Sequence, residues 1–337
     1  MNAPPVLLLS RSAIARLATT RDYLDAMQTA FVQLAQGCFE VPPVAHVHGV
    51  GGTFHIKSAR RADLSAQGTG PPALAAIKVN GNFPNNAVER QLPTIQGFVA
   101  LLDAESGCVL ALMDSIEITA RRTSAATALA AKYLARPESR TLAMIGCGVQ
   151  AFYHVEALCD VAPIETIVFC DPRDGAAAAF GARMRELGLS AQRAGNARTA
   201  ARSADIVVTV TTSTHPVLSL ADIEPGTFVA GVGADNPSKH ELGPDLLQAS
   251  RVIVDSVAQA STMGDLHHAI AAGAMQATEL QGELAALVAG KVARRTSSNE
   301  RWVFDSTGLS IQDLAAAEMI YGRARAAGSV PQILLGN

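Results

Sequence analysis

The apolar run Thr141–Ile145 ends at Gly146-Cys147-Gly148-Val149-Gln150-Ala151, and a helical pattern follows from Tyr153 to Leu158. This spacing reads as a strand, a glycine turn and a helix start. Gly146 permits the turn, Gly148 lets backbone N–H groups approach a pyrophosphate, and Ala151 allows the helix to pack closely on the strand. Val149 and Gln150 open the helix, whose positive dipole end faces the phosphates. A second strand, Thr166–Cys170, ends at Asp171, an acid placed to bind a ribose hydroxyl. The expected ligand is a nicotinamide dinucleotide. Asp171 favours NADH because its charge repels a 2′-phosphate, whereas Arg173 is suited to binding one, so NADH or NADPH is expected.

A second group of reactive side chains lies in VAHVHGVGGTFHIKSA, residues 44–59. If Gly49–Gly52 closes a hairpin as a four-residue loop, His48 faces Thr53, His46 faces His55 and Val44 faces Lys57. Alternation then puts His46, His48, His55 and Lys57 on one face and sends Phe54 and Ile56 toward a core. The cationic face is either solvated or a site. No metal is expected, because no carboxylate or cysteine completes a set with His-x-His. Lys78 interrupts the strand pattern Ala73–Val79; its head either reaches solvent or a structural carboxylate, or, as a buried ammonium that needs an anionic partner, binds a substrate carboxylate. With Thr119 as an N-cap, Arg121 and Arg122 fall in a first helical turn and oppose the dipole, an arrangement that suits a nearby anion.

Further along, Phe228–Val232 runs into Gly233-Ala234-Asp235, at the strand end where ligands of open α/β sheets sit. Asp-Asn-Pro also favours a turn on its own account. Thr211, Thr212 and Ser213 close the strand Ile206–Thr211 and are expected to line the cofactor cleft together with Val232, while Ser306 approaches from the nicotinamide side.

The elements that carry these residues alternate in type. Strands are expected at Thr141–Ile145, Thr166–Cys170, Ile206–Thr211, Phe228–Val232, Val252–Asp255 and Trp302–Phe304, with Ala-rich helices between most of them. That pattern specifies an α/β fold with a doubly wound parallel sheet of the Rossmann kind over residues 123–305. The first 120 or so residues, with turns at Gly49–Gly52 and Gly68–Pro72, suggest an α+β region with an antiparallel or mixed sheet. A helix from Thr119 to Arg136, stopped by Pro137, bridges the two, and the helix Ile311–Ala327 returns to the first region. Segments 1–122 and 306–337 are therefore expected to form one domain.

The chain has 337 residues, 49% of them hydrophobic, enough for two cores. A net charge of −3 without a basic block argues against a nucleic-acid partner. Five cysteines without a C-x-x-C pair suit reduced thiols in a cytoplasmic protein, with Cys147 a small filler in its turn. The run Val6–Leu9 is too short for a leader or a membrane span, so no membrane partner is expected.

Taken together, the motifs resemble the ornithine cyclodeaminase/mu-crystallin family. The resemblance rests on Ile77–Gly81, Thr119–Ala125, the Gly146-x-Gly148 turn, Gly233-Ala234-Asp235 with Lys239–Leu242, Gly264-Asp265-Leu266, and Ser306–Leu309 with Gln312-Asp313. It implies a homodimer paired through its N-terminal domains, NADH or NADPH as cofactor, Lys78 and Arg122 on the substrate carboxylate, and Asp235 near the substrate nitrogen. Cyclodeaminases of the family carry a glutamate where this chain has His55, and their upstream arginine is missing from Val41–Val44. Lys57 replaces the lost positive charge, and the hairpin form Phe54-His55-Ile56-Lys57 is similar to that of bacterial reductases of Δ1-pyrroline-2-carboxylate and Δ1-piperideine-2-carboxylate. The resemblance thus implies an imino acid substrate, reduction of a cyclic ketimine to L-proline or L-pipecolate, and a proton from His55 or water. Ornithine cyclisation, alanine dehydrogenase-like reductive amination and mu-crystallin-like ligand binding are the other activities the family implies.

Overall fold

The computed structural model describes residues 4–62, 72–328 and 330–335; of the expected Gly68–Pro72 turn, residues 68–71 lie outside this set. The chain divides into two compact units. Residues up to Thr123 and those from Leu309 onward form one, and Ser124–Gly308 forms the other.

The first unit holds strands β1 (Val6–Leu9), β2 (Phe39–Glu40), β3 (Ala45–Gly49), β4 (Gly52–Arg61), β5 (Leu74–Asn82), β6 (Ile95–Asp103) and β7 (Val109–Asp114). They form a mixed sheet in the order β1-β7-β6-β5-β4-β2, with β3 also on β4 and the short strand Gln332–Ile333 on the outer edge of β1. Only β1 and β7 run parallel; the other pairings are antiparallel. The helix Thr20–Ala35 begins at a capping box, in which the Asp22 N–H donates to Thr19 Oγ1 and the Thr19 N–H donates to Asp22 Oδ2. It buries Tyr23, Leu24, Met27, Ala30 and Phe31 at helical spacing. The helix Ser310–Ala327 packs on that helix and across β4, β5 and β6, and it ends at Gly328, whose φ of 69° is the left-handed conformation that glycine adopts freely.

Along β5 the side chains alternate. Leu74, Ala76 and Lys78 are buried, while Ala75, Ile77 and Val79 are not. The register Phe54↔Gly81, Ile56↔Val79 and Val79↔Phe98 puts Phe54 and Ile56 on the second of these faces. The expectation that they point to a core is therefore corrected. Val47, Phe54, Ile77 and Phe98 form an exposed apolar face, and Lys57 and Lys78 occupy the opposite one. The hairpin turn is also tighter than expected, because Gly49 pairs with Gly52 and leaves only Val50 and Gly51 between them. The pairs His46↔His55 and His48↔Thr53 follow the expected register.

The helix expected from Thr119 starts earlier and runs Ser115–Leu134. Asp114 starts it, accepting the Ile116 and Glu117 N–H groups on Oδ1. Thr119 is thus internal, and Arg121 and Arg122 lie beyond the first turn, where the dipole argument has little force.

In the second unit, β8 (Thr141–Ile145), β9 (Thr166–Cys170), β10 (Ser190–Arg193), β11 (Ile206–Thr209), β12 (Thr214–Leu218), β13 (Phe228–Gly231), β14 (His240–Leu242), β15 (Arg251–Val254), β16 (Gly282–Glu283) and β17 (Trp302–Asp305) are present. Eight of them form a wholly parallel sheet in the order β10-β9-β8-β11-β13-β17-β15-β16. β12 and β14 pair separately, also in parallel. Six strands lie within two residues of their expected bounds. The polar β10 and the two-residue β16 carried no apolar run to mark them. Because β9 and β11 flank β8 on opposite sides, the strand order reverses at β8/β11, the position at which doubly wound sheets open a crevice.

Trp302, the only tryptophan, is fully buried in β17 between β13 and β15, and its Nε1–H donates to Glu300 Oε2 at 3.0 Å. Trp302→Ala is expected to destabilise the protein by about 3–5 kcal/mol and Trp302→Phe by much less, read from denaturant unfolding. Similar losses for the two would show that the indole volume is not what β17 depends on.

Candidate active site

Gly146 adopts φ 94°, and a Cβ there would come within 2.9 Å of the Val210 carbonyl oxygen and 3.2 Å of Thr211 Cγ2. Glycine is required twice over, by the left-handed backbone and by the close approach of the β11 loop. Gly148 caps the helix Val149–Cys159 without any side-chain hydrogen bond, and a Cβ on it would meet nothing within 4 Å, so the helix N-terminus opens onto free space. Gln150 Oε1 and Ser306 Oγ are buried without a hydrogen-bond partner. An open helix N-terminus, a glycine cradle at the strand-order reversal and unsatisfied polar atoms fit a dinucleotide with its pyrophosphate at Gly148. Ala151 is fully buried beneath this turn.

Asp171 stands at the end of β9 as the sequence implies, and its carboxylate is heavily engaged. The Cys147 N–H donates to Oδ2 at 2.9 Å, and Arg173 donates from its backbone N–H and Nε to Oδ1, both at 2.9 Å, and from Nη2 to Oδ2 at 2.8 Å. Burial works to raise this carboxyl, and the donors from Arg173 and Cys147 outweigh it and bring it to about 2. The two residues read separately from sequence as ribose and phosphate ligands thus form one bidentate pair, with Asp171 buried and Arg173 largely exposed. The Cys147 thiol is pushed up to about 12 by burial and by Asp171, which disfavours the thiolate a nucleophile would need.

Thr211, Thr212 and Ser213 lie in the loop after β11, and Val232 directly follows β13. Asp235 follows in an exposed turn, where Lys239 Nζ approaches its Oδ1 to 2.7 Å. Beneath that turn lies Glu241, which the sequence reading placed only within a motif. It is fully buried and accepts from Thr209 Oγ1 at 2.8 Å and from the Thr211 and Gly233 N–H groups, each at 2.6 Å. One carboxylate therefore pins the ends of β11 and β13.

In the first unit, Lys78 and Arg122 share an anion. Lys78 Nζ lies 2.6 Å from Asp313 Oδ2, Arg122 Nε donates to Asp313 Oδ1 at 3.1 Å, and Arg122 Nη1 donates to Gln312 Oε1. Lys78 and Arg122 are each 4% exposed and Asp313 is 1% exposed. Burial works to raise the Asp313 carboxyl, but the charges of Lys78, Arg122 and Lys57 hold it below its ordinary value. Lys78 is brought down to about 7 by burial and by its neighbours Arg122 and Lys57, against the pull of Asp313. Three cations thus act on one carboxylate. Arg121 turns elsewhere, pairing with Glu117 at 2.6 Å and lying 5.8 Å from the Tyr23 ring centroid. His55 meets His46 edge to face at 4.9 Å, with Lys57 next but one along β4.

Asp313 and Gln312 are the residues whose role the sequence did not give. Their signal was present as polar residues in the first turn of a helix that also buries Ile311 and Leu314, but only tertiary packing brings them to Lys78 and Arg122.

The family model "Ornithine cyclodeaminase/mu-crystallin family" matches residues 6–328. The chain is 33% identical to an alanine dehydrogenase of Archaeoglobus fulgidus, over 94% of this chain and 95% of that one. Among solved structures it resembles an archaeal alanine dehydrogenase dimer with bound NAD, with a TM-score of 0.90 and 32% identity, covering 98% of this chain and 99% of the other. It also resembles the Thermococcus litoralis Δ1-pyrroline-2-carboxylate reductase in complex with NADH and L-proline, with a TM-score of 0.91 and 30% identity over 97% of this chain and all of the other.

Removing one partner from a buried ion cluster leaves an uncompensated charge. Asp313→Leu alone should cost about 3–5 kcal/mol of stability, whereas adding Lys78→Met and Arg122→Met to it should recover most of that loss. Denaturant unfolding of the single and triple variants checks this, and additive losses would contradict the cluster.

Proposed function

The chain belongs to the ornithine cyclodeaminase/mu-crystallin family, and we propose that within it this protein is an NAD(P)H-dependent oxidoreductase that reduces cyclic ketimines bearing a carboxylate on the imine carbon. The observation that carries the choice is the polar face of the hairpin. β4 bears His55 and Lys57 and no acidic residue along its length, beside Lys78 on β5. A cyclic imino acid such as Δ1-pyrroline-2-carboxylate or Δ1-piperideine-2-carboxylate needs cations for its carboxylate. Ornithine would also need an anion for its side-chain ammonium, and β4 supplies none. The NADH and L-proline bound by the Thermococcus litoralis relative support the same reading.

Lys78 and Arg122, assisted by Lys57, hold the substrate carboxylate, and the guanidinium plane sets the ring orientation. Asp313 keeps both groups in place while neutralising only one of the three charges. A bound NADH or NADPH supplies the hydride. Asp235 stabilises the positive charge of the protonated imine, and His55 or a water delivers the proton to the ring nitrogen. The dinucleotide is held by Gly146, Gly148, Val149 and Gln150 at the phosphates, by Asp171 and Arg173 at the ribose, and by Thr211, Thr212, Ser213, Val232 and Ser306 along the cleft. The product is L-proline or L-pipecolate. The exposed apolar face of Val47, Phe54, Ile77 and Phe98 fits a homodimer paired through this sheet, as does the dimeric form of the archaeal alanine dehydrogenase. The domains are read as 1–122 with 306–337, and 123–305, in a cytoplasmic protein.

The test is oxidation of NADH and NADPH with a panel of cyclic imines, pyruvate plus ammonia, and ornithine. Stoichiometric cofactor loss with cyclic imines is expected. Turnover of ornithine without net cofactor change would replace this reading with the lyase. Arg122→Ala and Lys78→Ala should raise KM roughly tenfold to a hundredfold, the worth of one charge-assisted bond. Asp235→Asn should act mainly on kcat, and a near-normal kcat there would remove Asp235 from the mechanism. Because Lys78 titrates at about 7, its charge is present below that pH and lost above it, so the wild-type KM should rise as pH climbs past neutrality. Lys78→Arg should flatten that rise.

Cofactor choice gives a separate test. Asp171→Ala should loosen discrimination against NADPH, and Arg173→Ala should weaken NADPH more than NADH. Equal effects on the two dinucleotides would place the pair away from the 2′ position.

A further inference from the structure

Three more carboxyls lie beneath the Asp235 turn without touching solvent. Asp265 Oδ1 accepts the N–H groups of Glu241 and Leu242, at 2.7 and 2.9 Å, and so holds β14. Asp305, at the end of β17, accepts the Leu266 N–H on Oδ2 at 2.8 Å and so fixes the start of the helix Gly264–Ala271 that carries Asp265. Asp255, at the end of β15, accepts from Ser256, Thr307 and Gly308. One oxygen of each of two neighbouring carboxyls is left over, for Asp265 Oδ2 and Asp305 Oδ1 are both buried without a partner. Glycines make room for them. A Cβ on Gly231, which pairs with Asp305 across the sheet, would meet Asp265 Oδ2 at 2.7 Å, and one on Gly264 would meet both Asp305 oxygens at 3.0 Å.

Two neighbouring buried carboxylates, each with an oxygen left unpartnered, repel, and one proton held by the pair removes that repulsion. We propose that Asp265 and Asp305 share a proton, and that this pair, acting through Glu241, is the positioning device for the loops that carry Thr211 and Asp235. The link is continuous within the unit. Asp305 fixes the helix start, Asp265 fixes β14, and the Glu241 side chain ties Thr209, Thr211 and Gly233 together. Burial pushes both members of the pair upward, Asp305 to about 7, and the neighbouring charges of Glu241 from β14 and Asp255 from β15 push the same way. Three histidines lie on these elements: His240 and His268 stack on each other at 4.0 Å, His268 Nε2 lies 2.9 Å from the Lys239 carbonyl oxygen, and His267 meets His268 edge to face at 5.2 Å with its Nδ1 3.3 Å from the Ser261 carbonyl oxygen.

The positioning half of this inference rests on the role proposed for Asp235; the shared proton does not. Infrared difference spectra of the wild-type protein at neutral pH should show a protonated-carboxyl stretch that shifts in D2O and disappears in Asp305→Asn. The native state holds a proton that the unfolded chain has lost. Wild-type stability contributed by the pair is therefore greatest in acid and falls as pH rises toward and through about 7. Asp305→Asn, whose amide donates permanently, should lack that fall, so its thermal midpoint should gain on the wild type between pH 5 and pH 9. Glu241→Gln, which sets an NH2 group against backbone donors, should lower kcat on cyclic imines by roughly tenfold or more. Absence of the infrared band, or an unchanged pH dependence in Asp305→Asn, would overturn proton sharing, and the wild-type spectrum decides this even if the variant does not fold. If Glu241→Gln keeps a normal kcat, positioning is overturned. If the wild type reduces no cyclic imine, the functional reading fails while the spectrum and the pH dependence still judge the pair.

Discussion

The contact of Asp313 with Lys78 and Arg122 is the constraint around which the first unit is arranged. Two cations from a strand and a helix far apart in sequence are brought to one carboxylate on the terminal helix, all three almost without solvent. Stability alone gives little reason for an arrangement of this kind, because apolar residues of similar volume often serve as well or better. Its sense lies in the surplus. With Lys57 acting on the same carboxylate, three cations face one carboxylate, and the proposed function assigns the remaining positive charge to a substrate carboxylate.

Much of this was legible in the chain. Local signals marked the parallel sheet well, since β8 and β9 are apolar runs closed by a glycine turn and an acid, and a buried strand has little else to be. The Gly146 turn was readable for the same reason, as only a backbone with positive φ and a neighbour at contact distance demands glycine there. The face of the hairpin that carries His46, His55 and Lys57 followed from alternation and register.

What could not be read was the partner of each charge and the destination of each face. Alternation says that Phe54 and Lys57 lie on opposite sides of β4 but not which side is covered by a helix, and here the helix Ser310–Ala327 covers the side with the lysines. Nothing local to Lys78 names Asp313, more than 200 residues away, as its counter-ion. Asp171 and Arg173 were recognised as candidates, but a two-residue spacing does not reveal that they would engage one another. Thr119 misled because a threonine before a helical pattern resembles a cap, while Asp114, further upstream, was already filling that role.

The alternation along β5 has a consequence for how the first unit responds to change. Ile77 and Val79 lie on the bare apolar face and flank Lys78 directly in the chain. A strand one residue thick cannot insulate its two sides, so whatever twists or flattens the sheet at those two positions also turns the ammonium between them. Exchanges of one apolar side chain for another on the outer face, which would pass as neutral on a surface elsewhere, would therefore be felt as electrostatic changes on the inner one.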